Sequence, residues 1–177
     1  MRTLVVAFAW DLGVVVPLPL AAQGEVAPRC QDPRFREFDF WIGEWNVTGP
    51  DGAAIGRSVI EPIMGRCAVR ESWDSGEVHG TSVSIYHAPD EAWFQTWVDN
   101  RGVLLRLRGG WDGDRMILAG ERRGSDGRVR HLRITWTPTD EGLIQRQEVS
   151  EDGGESWAVG FEGRYERALS TPPGTLP

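Results

Sequence analysis

From Asp39 to Arg167 the chain is a succession of short segments in which apolar and polar side chains alternate, each closed by glycine, proline, aspartate or asparagine. Alternation with period two marks a strand that buries one face. Ten such segments are read: Asp39–Thr48, Ala54–Met64, Cys67–Trp73, Thr81–His87, Ala92–Asp99, Val103–Arg108, Arg115–Glu121, Val129–Thr137, Leu143–Ser150 and Trp157–Arg167. The links between them are turn sequences such as Gly49-Pro50-Asp51-Gly52, Asn100-Arg101-Gly102 and Gly124-Ser125-Asp126-Gly127. Links this short make sequential strands pair antiparallel, and no helical pattern long enough for a βαβ crossover intervenes. The predicted fold is therefore all-β, an up-and-down antiparallel barrel of about ten strands, wide enough to enclose a small ligand.

Around the barrel, residues 38–168, lie three shorter regions. Residues 1–23 read as an export signal: Arg2 supplies a positive start, Thr3 to Leu20 is mostly apolar, and Ala21-Ala22 offers small residues for cleavage. Asp11, Pro17 and Pro19 shorten the apolar run and make it a poor membrane span, so stable membrane insertion is not expected. Residues 24–37 read as a polar arm, either irregular or with one helical turn near Asp32 to Glu37, and the proline-rich residues 169–177 read as a disordered tail. The reading is an exported protein, periplasmic or secreted.

Splitting strands by parity shows which side chains share a face. Trp93, Gln95, Trp97 and Asp99 form one stripe, and Cys67, Val69, Glu71 and Trp73 another. Leu143, Gln145, Gln147 and Val149 form a third, and Trp157, Val159, Phe161, Gly163 and Tyr165 a fourth. Aromatic rings interleaved with a few amides or acids are how ligand cavities are lined. Trp73, Trp93, Gln95, Trp97 and Gln147 are the candidate ligand-binding residues, against the alternative that the polar ones sit at a rim or satisfy buried backbone. The expected partner is a small apolar or aromatic molecule.

Composition narrows the chemistry. A formal charge of -7 disfavours nucleic acid and anionic membranes as partners. All 19 basic residues are arginine, which removes lysine from any mechanism. His79, His87 and His131 show no metal-binding spacing, so no metal is expected, and haem remains only an alternative cofactor held by a single imidazole. No nucleophile elbow or phosphate loop occurs, which leaves Glu71, Asp99 and His131 as the acid/base set that an isomerase, cyclase or hydrolase could gather across the lumen. Cys30 and Cys67 either form a disulfide tying the arm to the barrel or are two unrelated buried thiols. The pattern sets no oligomeric state.

Ser150-Glu151-Asp152-Gly153-Gly154-Glu155-Ser156-Trp157 matches the Asp-box of sialidase-like propellers, but it occurs once and without a blade repeat. It reads as a hairpin clasp in which Asp152 bonds the turn and Trp157 packs beneath it.

Gly43-Glu44-Trp45 resembles the G-x-W element that opens lipocalins and related calycin barrels. That resemblance implies that Trp45 closes one end of the barrel, covered by an arginine of the last strand, Arg164 or Arg167. The longer pattern of Phe38-Asp39-Phe40-Trp41-Ile42-Gly43-Glu44-Trp45, Gly65-Arg66-Cys67, Arg70-Glu71-Ser72-Trp73, Trp93-Phe94-Gln95-Thr96-Trp97-Val98-Asp99 and the Ser150–Trp157 turn is similar to a family of exported bacterial proteins, largely uncharacterised. The resemblance implies a calycin-like barrel close in plan to fatty-acid-binding proteins and nitrobindins, and it brings no agreed activity. The G-x-G-x-Y-P-like run of nitrobindins is missing.

Overall fold

The computed structural model describes residues 30–168. The expected export signal over 1–23, residues 24–29 of the expected arm and the expected tail over 169–177 lie outside the described residues. Ten strands follow one another: β1 (Gly43–Thr48), β2 (Ala54–Ile63), β3 (Ala68–Asp74), β4 (His79–His87), β5 (Ala92–Asp99), β6 (Leu104–Trp111), β7 (Met116–Arg123), β8 (Val129–Thr139), β9 (Gly142–Ser150) and β10 (Ala158–Arg167). Each pairs antiparallel with its sequence neighbours, and β1 pairs with β10 from Trp45↔Arg167 to Thr48↔Arg164, which closes the barrel. Closure removes both sheet edges and satisfies their backbone groups.

The first strand is four residues shorter than its alternation suggests. Asp39–Trp41 is a 3₁₀ turn, and a second, Pro33–Arg36, precedes it in the arm, begun by Asp32, whose carboxylate accepts the Arg34 N–H at 2.9 Å. Phe38 and Trp41 thereby leave the wall and enter the barrel's lower end. Phe38 packs within 5.2–5.3 Å of Trp41, Trp93 and Trp136, and all four rings are almost fully buried. Burying such rings outweighs the strand propensity of a four-residue aromatic run. Met116, Leu118 and Leu143 complete this plug, so the lower half of the barrel is solid core.

Trp45 seals the base. Its indole N–H donates to the Trp41 carbonyl at 2.8 Å, and the Arg167 guanidinium lies 4.5 Å from its ring centre. Arg167 stands opposite Trp45 in the ladder, whereas Arg164 alternates to the outer face, so Arg167 supplies the cation. The arm is tied down by the Cys30–Cys67 disulfide, with Cα atoms 5.3 Å apart. By constraining an unfolded loop over a sequence separation of 37, the bond contributes about 4 kcal/mol.

The Ser150–Trp157 turn is a clasp. Asp152 accepts the Ser150 hydroxyl at 2.7 Å and the Ser156 N–H at 2.9 Å, and also the Ser156 hydroxyl. Ser156 above all, and then Ser150, hold its carboxyl well below the usual carboxylate range. Trp157 donates to the Gly154 carbonyl at 3.0 Å and carries Arg133 on its face at 4.4 Å. Here the expected shared face is corrected. A bulge between Val159 and Phe161 inserts Gly160 into β10, so Trp157 and Val159 stand outside while Phe161, Gly163 and Tyr165 point inward. One extra residue reverses parity along the rest of a strand.

Candidate functional site

Above the plug the lumen is not filled. A half-open cavity of about 400 Å³ occupies the end where β3, β5 and β7 finish and β2, β4 and β10 begin. Its walls are Trp73, Trp97, Phe161, Leu105, Ile134 and Ile55, with Gln95, Gln145 and Gln147 set among them and Asp99, Arg101 and Arg122 toward the mouth. Strand parity aims those on strands inward, and Arg101 reaches the mouth from the β5–β6 turn. Height along the barrel axis then decides which of them meet the cavity and which join the plug.

Two glycines seat the tryptophans. A Cβ on Gly56 would lie 2.6 Å from the Trp73 ring, and one on Gly80 would lie 2.2 Å from the Trp97 ring. Gly56 is diagonal to Trp73 across β2 and β3, and Gly80 is diagonal to Trp97 across β4 and β5. Each indole therefore sits over a glycine, in space that any side chain there would take from it.

The floor of the cavity is polar on one side. Glu71 stands opposite Ser82 on β4 and diagonal to Ser58 on β2, and both hydroxyls donate to its carboxylate, at 3.0 and 2.9 Å. Gln95 donates to the Ser84 hydroxyl at 3.0 Å, and Tyr165 donates to the Gln145 amide oxygen. Glu71 is only 4% exposed. Burial pushes its carboxyl up to about 7, and the two serine hydroxyls temper the shift. Burial, and secondarily the charge of Glu71, raises the Tyr165 phenol well above its ordinary value.

The five expected ligand-binding residues separate by depth. Trp73, Gln95, Trp97 and Gln147 line the cavity. Trp93 shares the Trp97 stripe but lies two registers lower, in the plug, where its N–H donates to Glu37 at 2.9 Å. Of the acid/base set, Glu71 and Asp99 line the cavity and His131 does not. His131 is on the outer wall of β8, 3.7 Å from Glu121, because Leu132, Ile134 and Trp136 take the inward parity. Asp99 is engaged in the β5–β6 turn: it accepts the Arg101 and Val103 N–H groups at 2.9 and 3.1 Å and the Arg101 guanidinium at 3.0 Å. Burial alone would raise its carboxyl, but these Val103 and Arg101 bonds hold it below its ordinary value.

Several cavity residues escape a reading by motif. Ser58 and Ser82 matter only through Glu71, and Arg122 falls on the inward stripe of β7 after Met116, Leu118 and Gly120, a parity that singles it out. His79 and His87 are exposed and, like His131, stand outside the cavity lining. Among the described residues no group of three or more histidine, cysteine, aspartate or glutamate side chains is arranged to hold a metal ion, and no helix is long and apolar enough to cross a membrane. The fold and site together define a closed ten-stranded antiparallel barrel, calycin-like in plan, with a solid base and an open upper lumen. Comparison with protein-family models and with curated proteins gives no match.

Proposed function

We propose that this protein is an exported calycin-like barrel that holds a small, largely apolar or aromatic molecule in its upper lumen. The observation that carries the reading is the cavity of about 400 Å³ between Trp73 and Trp97, each ring laid on a glycine and interspersed with glutamines. Binding sites for small molecules combine apolar walls with a few placed polar groups, at volumes of about 300–1,000 Å³. The disulfide supports an oxidising compartment, periplasmic or extracellular. A histidine-bound haem draws no support, since all three imidazoles lie off the cavity. The test is quenching of intrinsic fluorescence by a panel of aromatic and aliphatic metabolites. Members that fit quench wild type and lose most of that effect in the Trp73→Phe, Trp97→Phe double variant; a panel without effect on either protein overturns the carrier reading.

A second reading is favoured by one observation. Glu71 is buried at the cavity floor with its carboxyl raised to about 7, so near neutrality it can take or give a proton. An isomerase, cyclase or hydrolase working on the bound molecule would use it as acid or base. Turnover of a bound panel member, abolished in Glu71→Gln with binding intact, distinguishes the enzyme from the carrier.

A further inference from the structure

Arg122 is the cavity-lining residue least explained by stability. It follows Met116, Leu118 and Gly120 on the inward stripe of β7, and its Nε is buried without a hydrogen-bond partner. Directly opposite it in the β7–β8 ladder is Arg130, another cation. Like charges placed opposite one another destabilise a strand pair, and a buried donor left unmade costs more. Arg130 gives its own guanidinium to Asp126 and Glu151 at 2.7 Å each. The two acids that line the cavity are also engaged: Asp99 by Arg101 and the turn backbone, Glu71 by Ser58 and Ser82. A local rule broken without compensation in the protein itself marks a place where a ligand completes the structure.

The surroundings of Arg122 point the same way. The β6–β7 ladder runs only from Arg108↔Ala119 to Trp111↔Met116, and Gly120 then approaches the Arg106 carbonyl with no room for a Cβ. Above it a groove opens between the strands, lined by Arg101, Arg106, Arg122, Arg123 and Arg130 against the acids Glu121 and Asp126. The chain as a whole carries a formal charge of -7, so this arginine lining is set against the sign of the protein. A cleft of one sign concentrates ligands of the other. Arg101, Arg122 and Val103 line both the groove and the cavity, so the two spaces adjoin.

Resting on the carrier reading, we propose that the ligand is a carboxylate with an apolar or aromatic body, its carboxylate received by the Arg122 guanidinium and its body lodged between Trp73 and Trp97. A planar guanidinium matches a carboxylate with two parallel hydrogen bonds, and the remaining walls, mostly aromatic, aliphatic and amide, suit an uncharged body better than a second anionic group. A phosphate ester brings a second negative charge and more acceptors than one unpartnered guanidinium can meet, and the neighbouring Arg101 and Arg130 are already paired with Asp99, Asp126 and Glu151.

The experiment compares 4-phenylbutyrate, 4-phenylbutyramide and 3-phenylpropyl phosphate by isothermal titration calorimetry on the disulfide-intact protein, with Trp73 and Trp97 indole N–H signals followed by NMR. All three share one apolar body. The expected result is that the acid binds wild type about ten-fold or more tighter than the amide and tighter than the phosphate, as a charge-assisted pair requires. Arg122→Gln and Arg122→Met bring the acid down to the amide's affinity and leave the amide unchanged, which also shows that both variants fold. Acid and amide binding equally well to wild type, or an acid preference that survives both substitutions, overturns the carboxylate proposal while the carrier reading stands. The phosphate binding best likewise overturns it. No binding by any of the three, with the Trp73 and Trp97 signals still, overturns both.

Discussion

Glu71→Gln should stabilise this barrel, and by an amount that depends on pH. In the folded protein the carboxyl is 4% exposed and burial raises it from 4.5 to about 7, while in the unfolded chain it returns to its ordinary value. Between those two values the native state keeps a proton that the unfolded state releases. Stability then falls as pH rises, by about 1.4 kcal/mol per unit, and the accumulated loss is about 1 kcal/mol at pH 5 and about 3 kcal/mol at pH 8. Below pH 4.5 both states are protonated and the penalty vanishes. Glutamine does not titrate, and its amide can accept from one of Ser58 and Ser82 and donate to the other, whose hydroxyls rotate freely. Equilibrium urea unfolding of both proteins, disulfide intact, measures the difference directly. Other titrating groups, such as Asp126, held down to about 2 mainly by Arg130, are common to both and cancel. The reasoning predicts that Glu71→Gln gains about 2 kcal/mol more at pH 8 than at pH 5. A difference that is the same at both pH values, or a variant less stable than wild type at pH 8, refutes it.

Three further outcomes follow from the packing. Gly80→Ala places a methyl 2.2 Å from the Trp97 ring, which must move roughly 1.5 Å into the cavity to restore contact distance, so fluorescence titrations should show at least a ten-fold loss of affinity for any ligand that quenches wild type. Replacing Cys30 and Cys67 together by serine should cost about 4 kcal/mol in urea unfolding, and reducing the wild-type protein should cost the same; a loss below about 1 kcal/mol would show that the arm adds no constraint. Arg167→Ala should destabilise by about 1 kcal/mol through the lost contact with Trp45, whereas Arg164→Ala on the outer face should stay within about 0.5 kcal/mol of wild type; equal effects would contradict the assignment of the base.

The barrel was legible because two independent signals agree along the chain: period-two alternation gives strands, and turns too short to cross the sheet give antiparallel neighbours. Phe38-Asp39-Phe40-Trp41 misleads for the same reason, since a run that alternates like a strand is diverted into the plug by contacts with Trp93 and Trp136, residues more than fifty positions away. Parity grouped the side chains of β3, β5 and β9 by face without saying which face is inward, and failed on β10 because a single glycine, Gly160, resets it. It also carries no information about depth, which is why Trp93 and Trp97 look equivalent in sequence and differ in place. His131 entered the acid/base set on residue type alone and belongs to the outer wall. Arg122 stands at an inward position that its parity alone discloses, and its buried, unpartnered nitrogen is visible only once the wall has closed around it.

The central claim, that the upper lumen accepts a guest between Trp73 and Trp97 above a buried aromatic base, is tested most directly by the indole N–H resonances in a ligand titration. A guest in the cavity shifts the signals of Trp73 and Trp97 and leaves those of Trp41, Trp45, Trp93 and Trp136 in place. Shifts confined to Trp111, exposed at the end of β6, and to Trp157 on the outer face, or no shift with any member of an aromatic and aliphatic panel, would contradict the account.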